Sequence, residues 1–566
     1  MTIMLVKDAV AAIVAAALEQ ANRDGVINVD AAPDIEIERP NNPEHGDFAT
    51  NLPLRLARAA RANPMQLAQL IAERIQPGSE IGSLEPAPPG FINFKLSDEW
   101  LQQQVEAVLA AGDGFGAADV GNGRKVMVEF VSVNPTGPVH VGHTRGAVLG
   151  SALANTMQAA GYEVTREYYI NDAGSQMEAF YRSVWTRYQQ ALGREAQMPE
   201  NGYQGDYIAE IAAEIIEAEG PGLLEMPEPA SIRRIGDIAR EKMVTVIRDD
   251  LDAIGVNFDN WFSERWLFQN DDAPASDYDR AISMLRDGGH LAERSGALWF
   301  NSIALGDDRD NVVVRSSGEP TYFASDIAYH YNKFSGRGFD RVIDIWGADH
   351  QGHVPRMKAA VSALGVEPEN LTVLISQMVT LKRGDETVRA SKRTGDFVTL
   401  RELVDEVGMD ACRYFFLARA ASTQMEFDLE LATRESSENP VYYVQYAHAR
   451  NASILSLAAE RGIDFSAGDV SLLTHPNELA LIRTMLRLSE LIVQVAENLE
   501  PHHLPHYAME LATAFHHFYE NCRVISANPE DNELTLARLK LVGAAQVVFR
   551  RTLTLMGMSA PERMER

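Results

Sequence analysis

The run Lys125-Val126-Met127-Val128-Glu129-Phe130-Val131, the loop Ser132-Val133-Asn134-Pro135-Thr136-Gly137-Pro138-Val139 and the His140-Val141-Gly142-His143 that follows decide how this chain folds. The first seven residues are mostly apolar and end at turn-forming residues, the pattern of a buried strand. Two prolines and a glycine make the next eight a loop. From His140 to Ala160 the chain suits a long helix, closed by Gly161, and Glu163 to Tyr169 returns as a strand. Strand, loop, helix and strand in this order make a parallel βαβ unit, the first half of a doubly wound sheet. Ligands of such sheets bind beyond the carboxyl ends of the strands, which is where the loop and the two histidines stand.

Upstream, residues 1–112 read as a small α/β unit. A helix is expected over Leu5 to Asn22 and a strand around Ile35 to Glu38. A second helix carries Arg55, Arg58 and Arg61, a third runs from Pro64 to Ile75, and a strand from Phe91 to Phe94 follows Pro88-Pro89-Gly90. After a linker from Gly114 to Gly123, the doubly wound unit takes residues 120–380. Within it the stretch 177–290 is mostly helical and acidic, an insertion between the halves of the sheet. Strands resume at Ala297 to Phe300, Val312 to Arg315, Val342 to Trp346 and Leu371 to Gln377. A loop and connecting helical segment fill 381–438, and 439–566 is all helical. The fold class is α/β: a Rossmann-type doubly wound parallel sheet with a helical insertion, a small α/β domain before it and an all-α domain after it.

With 566 residues, 46% apolar and 23% charged, the chain has the balance of a folded, multidomain protein. Cys412 and Cys522 are too far apart to form a Cys-x-x-Cys pair, so a reducing, cytoplasmic setting and no structural zinc are expected. The apolar Ala9 to Leu18 is bracketed by Asp8 and Glu19 with only Lys7 ahead of it, which reads as an amphipathic helix and not a secretory leader. No stretch reaches the length that spans a bilayer, so no membrane partner is expected. The net charge of -29 argues against nonspecific binding to polyanions such as DNA, while local basic segments still allow a nucleic-acid partner.

His140-Val141-Gly142-His143 is the strongest chemical signal. With 14 His and 40 Gly in the chain, H-x-G-H is expected about 0.02 times by chance. At a helix N-terminus, free amides and a partial positive charge favour phosphate, both histidines face that anion, and Gly142 leaves room for a nucleotide base. The plain alternative is a pair of capping or core histidines. A second signal is Val388-Arg389-Ala390-Ser391-Lys392-Arg393. Alone it is a solvated cationic turn, but beside the histidines it offers the positive charge that a departing pyrophosphate needs.

Together these segments resemble the HIGH and KMSKS signatures of class I aminoacyl-tRNA synthetases, the second departing at Arg389, Ala390 and Arg393 and keeping Ser391 and Lys392. The run from Glu129 to His140 and the run Tyr322-Phe323-Ala324-Ser325-Asp326-Ile327-Ala328-Tyr329-His330 resemble the arginyl-tRNA synthetase family in particular. The resemblance implies catalysis by His140, His143 and Lys392, and an ATP site of His140, Gly142, His143, Asp349, Ser391 and Lys392, Asp349 lying in Trp346 to Gln351. It implies an arginine site of Glu129, Asn134, Tyr322, Asp326 and Asp349. Carboxylates suit a guanidinium taken out of water.

ATP with Mg²⁺, L-arginine and tRNA(Arg) are the expected ligands, and a monomer without editing activity is expected. The front of the chain resembles the family's elbow-contacting domain, with Arg55 and Arg58 toward phosphate. The back resembles its anticodon-binding domain, with Tyr446 and Arg450 as contacts. A synthetase of another specificity, an H-x-G-H nucleotidylyltransferase and a noncatalytic tRNA-binding paralogue are the rival readings.

Overall fold

The structure, a computed structural model, describes residues 5–29, 33–269, 274–388 and 398–564. At its centre is a parallel sheet of β1 Lys125–Glu129, β2 Glu163–Ile170, β3 Asn260–Ser263, β4 Arg341–Gly347 and β5 Leu371–Ser376. The strands lie in the order β5-β4-β1-β2-β3, so the winding direction reverses between β1 and β4. Successive side chains of a strand point to opposite faces. Val126 and Val128 accordingly join one apolar core and Met127 the other. Burial on both faces is why the middle of β1, Val126 to Val128, is continuously apolar.

One face is covered by α1, Val141–Ala159, which is buried on nearly every side. The other carries α2, Tyr322–Tyr331, whose Phe323, Ala324 and Ile327 share a core with Met127. Gly150 of α1 rests on Phe130, where a Cβ would fall 2.3 Å from the ring Cγ, so glycine permits this close approach. Arg145, fully buried in α1, donates to the carbonyls of Gln377, Arg419, Ala420 and Thr423. Those bonds satisfy the two terminal nitrogens of the buried guanidinium, while Nε has no partner among the described residues, and they fasten α1 to the chain beyond β5.

Several expectations need correction. The strand β1 ends at Glu129, not Val131, because Val131 (φ 70°) and Ser132 (φ 45°) turn into the left-handed region. Residues 35–38 form no strand; only Glu38 bridges to Ala49, and the strand there is Phe48–Thr50, paired with Phe91–Leu96. Arg61 is not helical but the left-handed cap (φ 50°) of Leu52–Ala60.

The stretch 177–290 is not wholly an insertion, since β3 within it is an edge strand of the main sheet, paired with β2. The helical excursion proper is Ser175–Ala191, Asp206–Glu219 and Glu228–Asp252. Ala297–Phe300 and Asn311–Val314 belong to a separate antiparallel sheet with Leu291–Arg294. Beyond β5 three strands missed in the sequence, Val379–Arg383, Glu386–Val388 and Met425–Asp428, form a further small sheet.

The last segment packs the long helices Pro440–Glu460, Pro476–Asn498, His503–Asn521 and Asn532–Met556 together. Buried Arg413 joins it to the central domain, donating to the carbonyls of Met556 and Ile254. The N-terminal unit reaches the same segment through Arg39 to Glu490 at 2.8 Å and Asp47 to Arg483 at 2.9 Å.

Candidate active site

The reversal between β1 and β4 opens a crevice at their carboxyl ends, the place where doubly wound sheets hold ligands. Two elements feed it: the loop from Phe130 to His140 and the turn Ala348–His353 after β4. The strained Val131 and Ser132 begin the loop. Ser132 Oγ donates to Glu129 Oε1 at 2.9 Å and accepts from the Tyr169 amide at 3.1 Å, holding that turn. From the insertion, Tyr207 donates to the Thr136 carbonyl at 2.7 Å.

His140 caps α1: its Nδ1 accepts from the Gly142 amide at 3.1 Å. That bond assigns the neutral tautomer with the proton on Nε2. The rings of His140 and His143 are 3.9 Å apart between centroids. Burial lowers the pKa of both; for His143 burial, then His140, bring it to about 4 while Asp349 opposes. Both rings are therefore neutral hydrogen-bonding groups near pH 7, not cations. Among the described residues His143 Nδ1 has no partner although it is buried.

The expectation of free amides at this helix start does not hold. Val141 donates to the Val398 carbonyl, Gly142 to His140 and His143 to the His140 carbonyl. The glycine has a nearer reason than a nucleotide base, since a Cβ on Gly142 would meet the His140 ring at 2.9 Å. Arg389, Ser391, Lys392 and Arg393 lie outside the described residues. The chain that follows them is placed: Val398 accepts from Val141 at 3.0 Å and Leu400 donates to Val139 at 2.7 Å, with Thr399 bridged to His140.

Acids, most of them buried, gather at the ends of β1 and β3 and in α2. Glu129 is not the solvated strand end that its position allows; burial pushes its carboxyl up to about 7, against the pull of Lys333. Lys333 is fully buried, bonds Glu129 Oε2 at 2.5 Å and Asp344 Oδ1 at 2.8 Å, and stands 4.2 Å from the Tyr329 ring centroid. His330 closes the chain on Asp344 Oδ2 at 3.0 Å. Asp326 sits inside α2 and is not its cap; burial raises its pKa, opposed by His330, Arg356, Lys333 and His350.

Glu264, directly after β3, is held up to about 7 by burial and by Asp326 and Asp172, with Ser325 opposing, and its Oε2 has no partner among the described residues. The Tyr169 hydroxyl gathers these acids. Burial, then Glu264, Asp326, Glu129 and Asp172, hold its pKa well above the usual value. Asp172 differs from the others in being matched, by Arg240 at 2.6 Å and by Ser263. Buried carboxylates short of a counterion make a seat for a cation.

Lys333, Asp344 and Glu264 were not singled out in the sequence. Asp326, His330 and Lys333 stand at i, i+4 and i+7, one helical face, and that spacing was the available signal. Glu264 was legible only to a reader who placed β3 in the sheet.

Residues 104–416 match the family model described as "tRNA synthetases class I (R), catalytic domain", residues 7–96 that of the "Arginyl tRNA synthetase N terminal domain", and residues 444–564 that of the "DALR anticodon binding domain". An arginine--tRNA ligase of Dehalococcoides mccartyi is 55% identical over 563 residues, covering 100% of each chain. The chain belongs to the arginyl-tRNA synthetase family. The arginine--tRNA ligase of Heliobacterium modesticaldum is 47% identical over 98% of both chains. The Thermus thermophilus arginyl-tRNA synthetase shares the fold, with a TM-score of 0.76 at 23% identity over 99% of this chain and 100% of that one.

The other expected residues of the synthetase are more scattered. Asn134 is half-buried in the loop and bonded to Gln176. Tyr322 is half-exposed at the start of α2, its hydroxyl over Gly174, where a Cβ would meet it at 2.9 Å. Asp349 is open to solvent and 3.4 Å from His350. Tyr446 and Arg450 come together: the guanidinium lies 4.8 Å from the Tyr446 ring centroid and 4.5 Å from that of Tyr519. Arg55 and Arg58 are exposed in the N-terminal unit, and Arg55 pairs with Glu36 at 2.9 Å. Among the described residues no helix is long and apolar enough to cross a membrane.

Proposed function

We propose that this chain activates L-arginine with ATP and transfers it to the terminal adenosine of tRNA(Arg). The observation that carries the reading is the set of acids formed by buried Glu129 and Glu264 and half-buried Asp326, whose charges all act on the Tyr169 hydroxyl. A neutral or acidic side chain would leave those carboxylates uncompensated, whereas a guanidinium supplies a planar fork of donors. Asn134 and Tyr322, at the rim, meet the α-amino end and cover the ligand.

ATP lies across α1 and Ala348–His353, and Mg²⁺ accompanying it would supply positive charge to its phosphates. The arginine carboxylate attacks the α-phosphate and pyrophosphate leaves. His140, through its Nε2 proton, and His143 donate to the phosphoryl oxygens as charge builds there. As neutral donors they do this with little reorganisation. Ser391 and Lys392 take the charge of pyrophosphate, a role supported by the contact of Val398 and Thr399 with Val141 and His140. The ribose hydroxyl of tRNA then attacks the adenylate and AMP leaves. Tyr446 and Arg450 serve the anticodon arm, and Arg55 and Arg58 the elbow.

ATP–pyrophosphate exchange across the twenty amino acids, with and without tRNA, tests the reading. Exchange with arginine alone is expected; exchange with another amino acid would discard the acid cluster as the specificity element.

A further inference from the structure

The turn between two helices of the C-terminal segment reads Glu500-Pro501-His502-His503-Leu504-Pro505-His506. It joins Pro476–Asn498 to His503–Asn521. We infer that Glu500, His502 and His503 form a site for one divalent transition-metal ion of the zinc type, a clip across this turn.

Each of the three residues offers a ligand atom, and these atoms all lie within 4.8 Å of one another. Glu500 Oε2 and His503 Nε2 are already 3.2 Å apart. In a tetrahedral site with bonds of about 2.0–2.1 Å, neighbouring ligand atoms are about 3.3–3.4 Å apart. The rings of His502 and His503 sit 4.3 Å apart between centroids, and His506 lies 6.4 Å from each. His506, exposed one turn on, or a water completes the coordination.

The frame is rigid. Leu499, Pro501, Leu504, Pro505 and Tyr507, beside and between the ligands, are buried, and the Pro505 carbonyl accepts from Tyr414 at 3.3 Å. Backbone held by packing presents ligands without an ordering cost at binding. Two imidazoles and one carboxylate select a borderline transition ion over Mg²⁺ or Ca²⁺, which take oxygen ligands. The helix start opposes a cation, and the Glu500 charge and the acidic protein offset that field.

The test uses the full-length, untagged protein titrated with Co²⁺ and with Zn²⁺ at pH 7.5. One equivalent should bind at low-micromolar concentration or below, Co²⁺ should show the visible bands of a tetrahedral site, and Zn²⁺ should raise the melting temperature. The His502→Ala/His503→Ala variant should lose at least about tenfold in affinity, together with the bands. His517→Gln, at an exposed histidine elsewhere, should bind as the parent does. Should the double variant fold poorly by circular dichroism, His503→Gln and Glu500→Gln alone carry the same expectation. Binding that survives in these variants, or no stoichiometric binding by the parent, overturns the site.

Discussion

Replacing Lys333 by methionine keeps the volume of the side chain and removes the cation that Glu129 and Asp344 share at 2.5 and 2.8 Å. Breaking a buried pair from one side costs roughly 3–5 kcal/mol, because the remaining charge has no partner. The two acids answer differently. Asp344 is held down at about 2, by Lys333 and His330 against burial, and bears most of the loss. Glu129, already pushed up to about 7, takes a proton instead. Folding stability in urea at pH 7.5 should therefore fall by about 3 kcal/mol, toward the low end of that range. The deficit should narrow as the pH falls through the usual carboxylate range and Asp344 is protonated in the unfolded chain.

Function should change in step. A protonated Glu129 loses a charge-assisted contact worth about 1.5–3 kcal/mol, so arginine half-saturation in the exchange assay should rise roughly 10- to 100-fold at pH 7. Raising the pH to 9 should recover part of it as Glu129 ionises. Unchanged half-saturation at pH 7, or a defect that ignores pH, would refute the argument that Lys333 keeps Glu129 charged.

His143→Asn should lower the turnover number about 100- to 1,000-fold while arginine half-saturation moves little, since the neutral ring acts on the developing phosphoryl charge; single-turnover adenylate formation checks this, and an equal loss in arginine binding would contradict it. Glu264→Gln should weaken arginine binding at pH 8 more than at pH 6, because Glu264, held up to about 7, is ionised only at the higher pH. A carboxylate raised above its unfolded value makes the folded state bind the extra proton between about 4.5 and 7, so stability falls as pH rises through that window. Glu264→Gln should flatten that slope, read as urea midpoints at pH 5 and 7. Arg450→Ala, which unstacks a guanidinium from Tyr446 and Tyr519, should raise the half-saturating tRNA concentration by about 1–3 kcal/mol equivalent and leave arginine untouched; charging assays at varied tRNA decide it.

Local pattern determined much of this protein. The apolar run of β1, the histidine pair at the head of α1 and the helical tail were legible because each is written in consecutive residues with a period of its own. Glu129 and Asp326 were legible as acidic positions. The edge strand Asn260–Ser263 was not, since four residues carry too little periodicity to be told from the helices around them. Partnership was the larger blind spot. That Lys333 stands between Glu129 and Asp344, that Glu264 meets Ser325, and that Val398 closes on Val141 are contacts between residues far apart in sequence. The free energy of a buried charge depends on what surrounds it, and only the tertiary structure decides which groups those are.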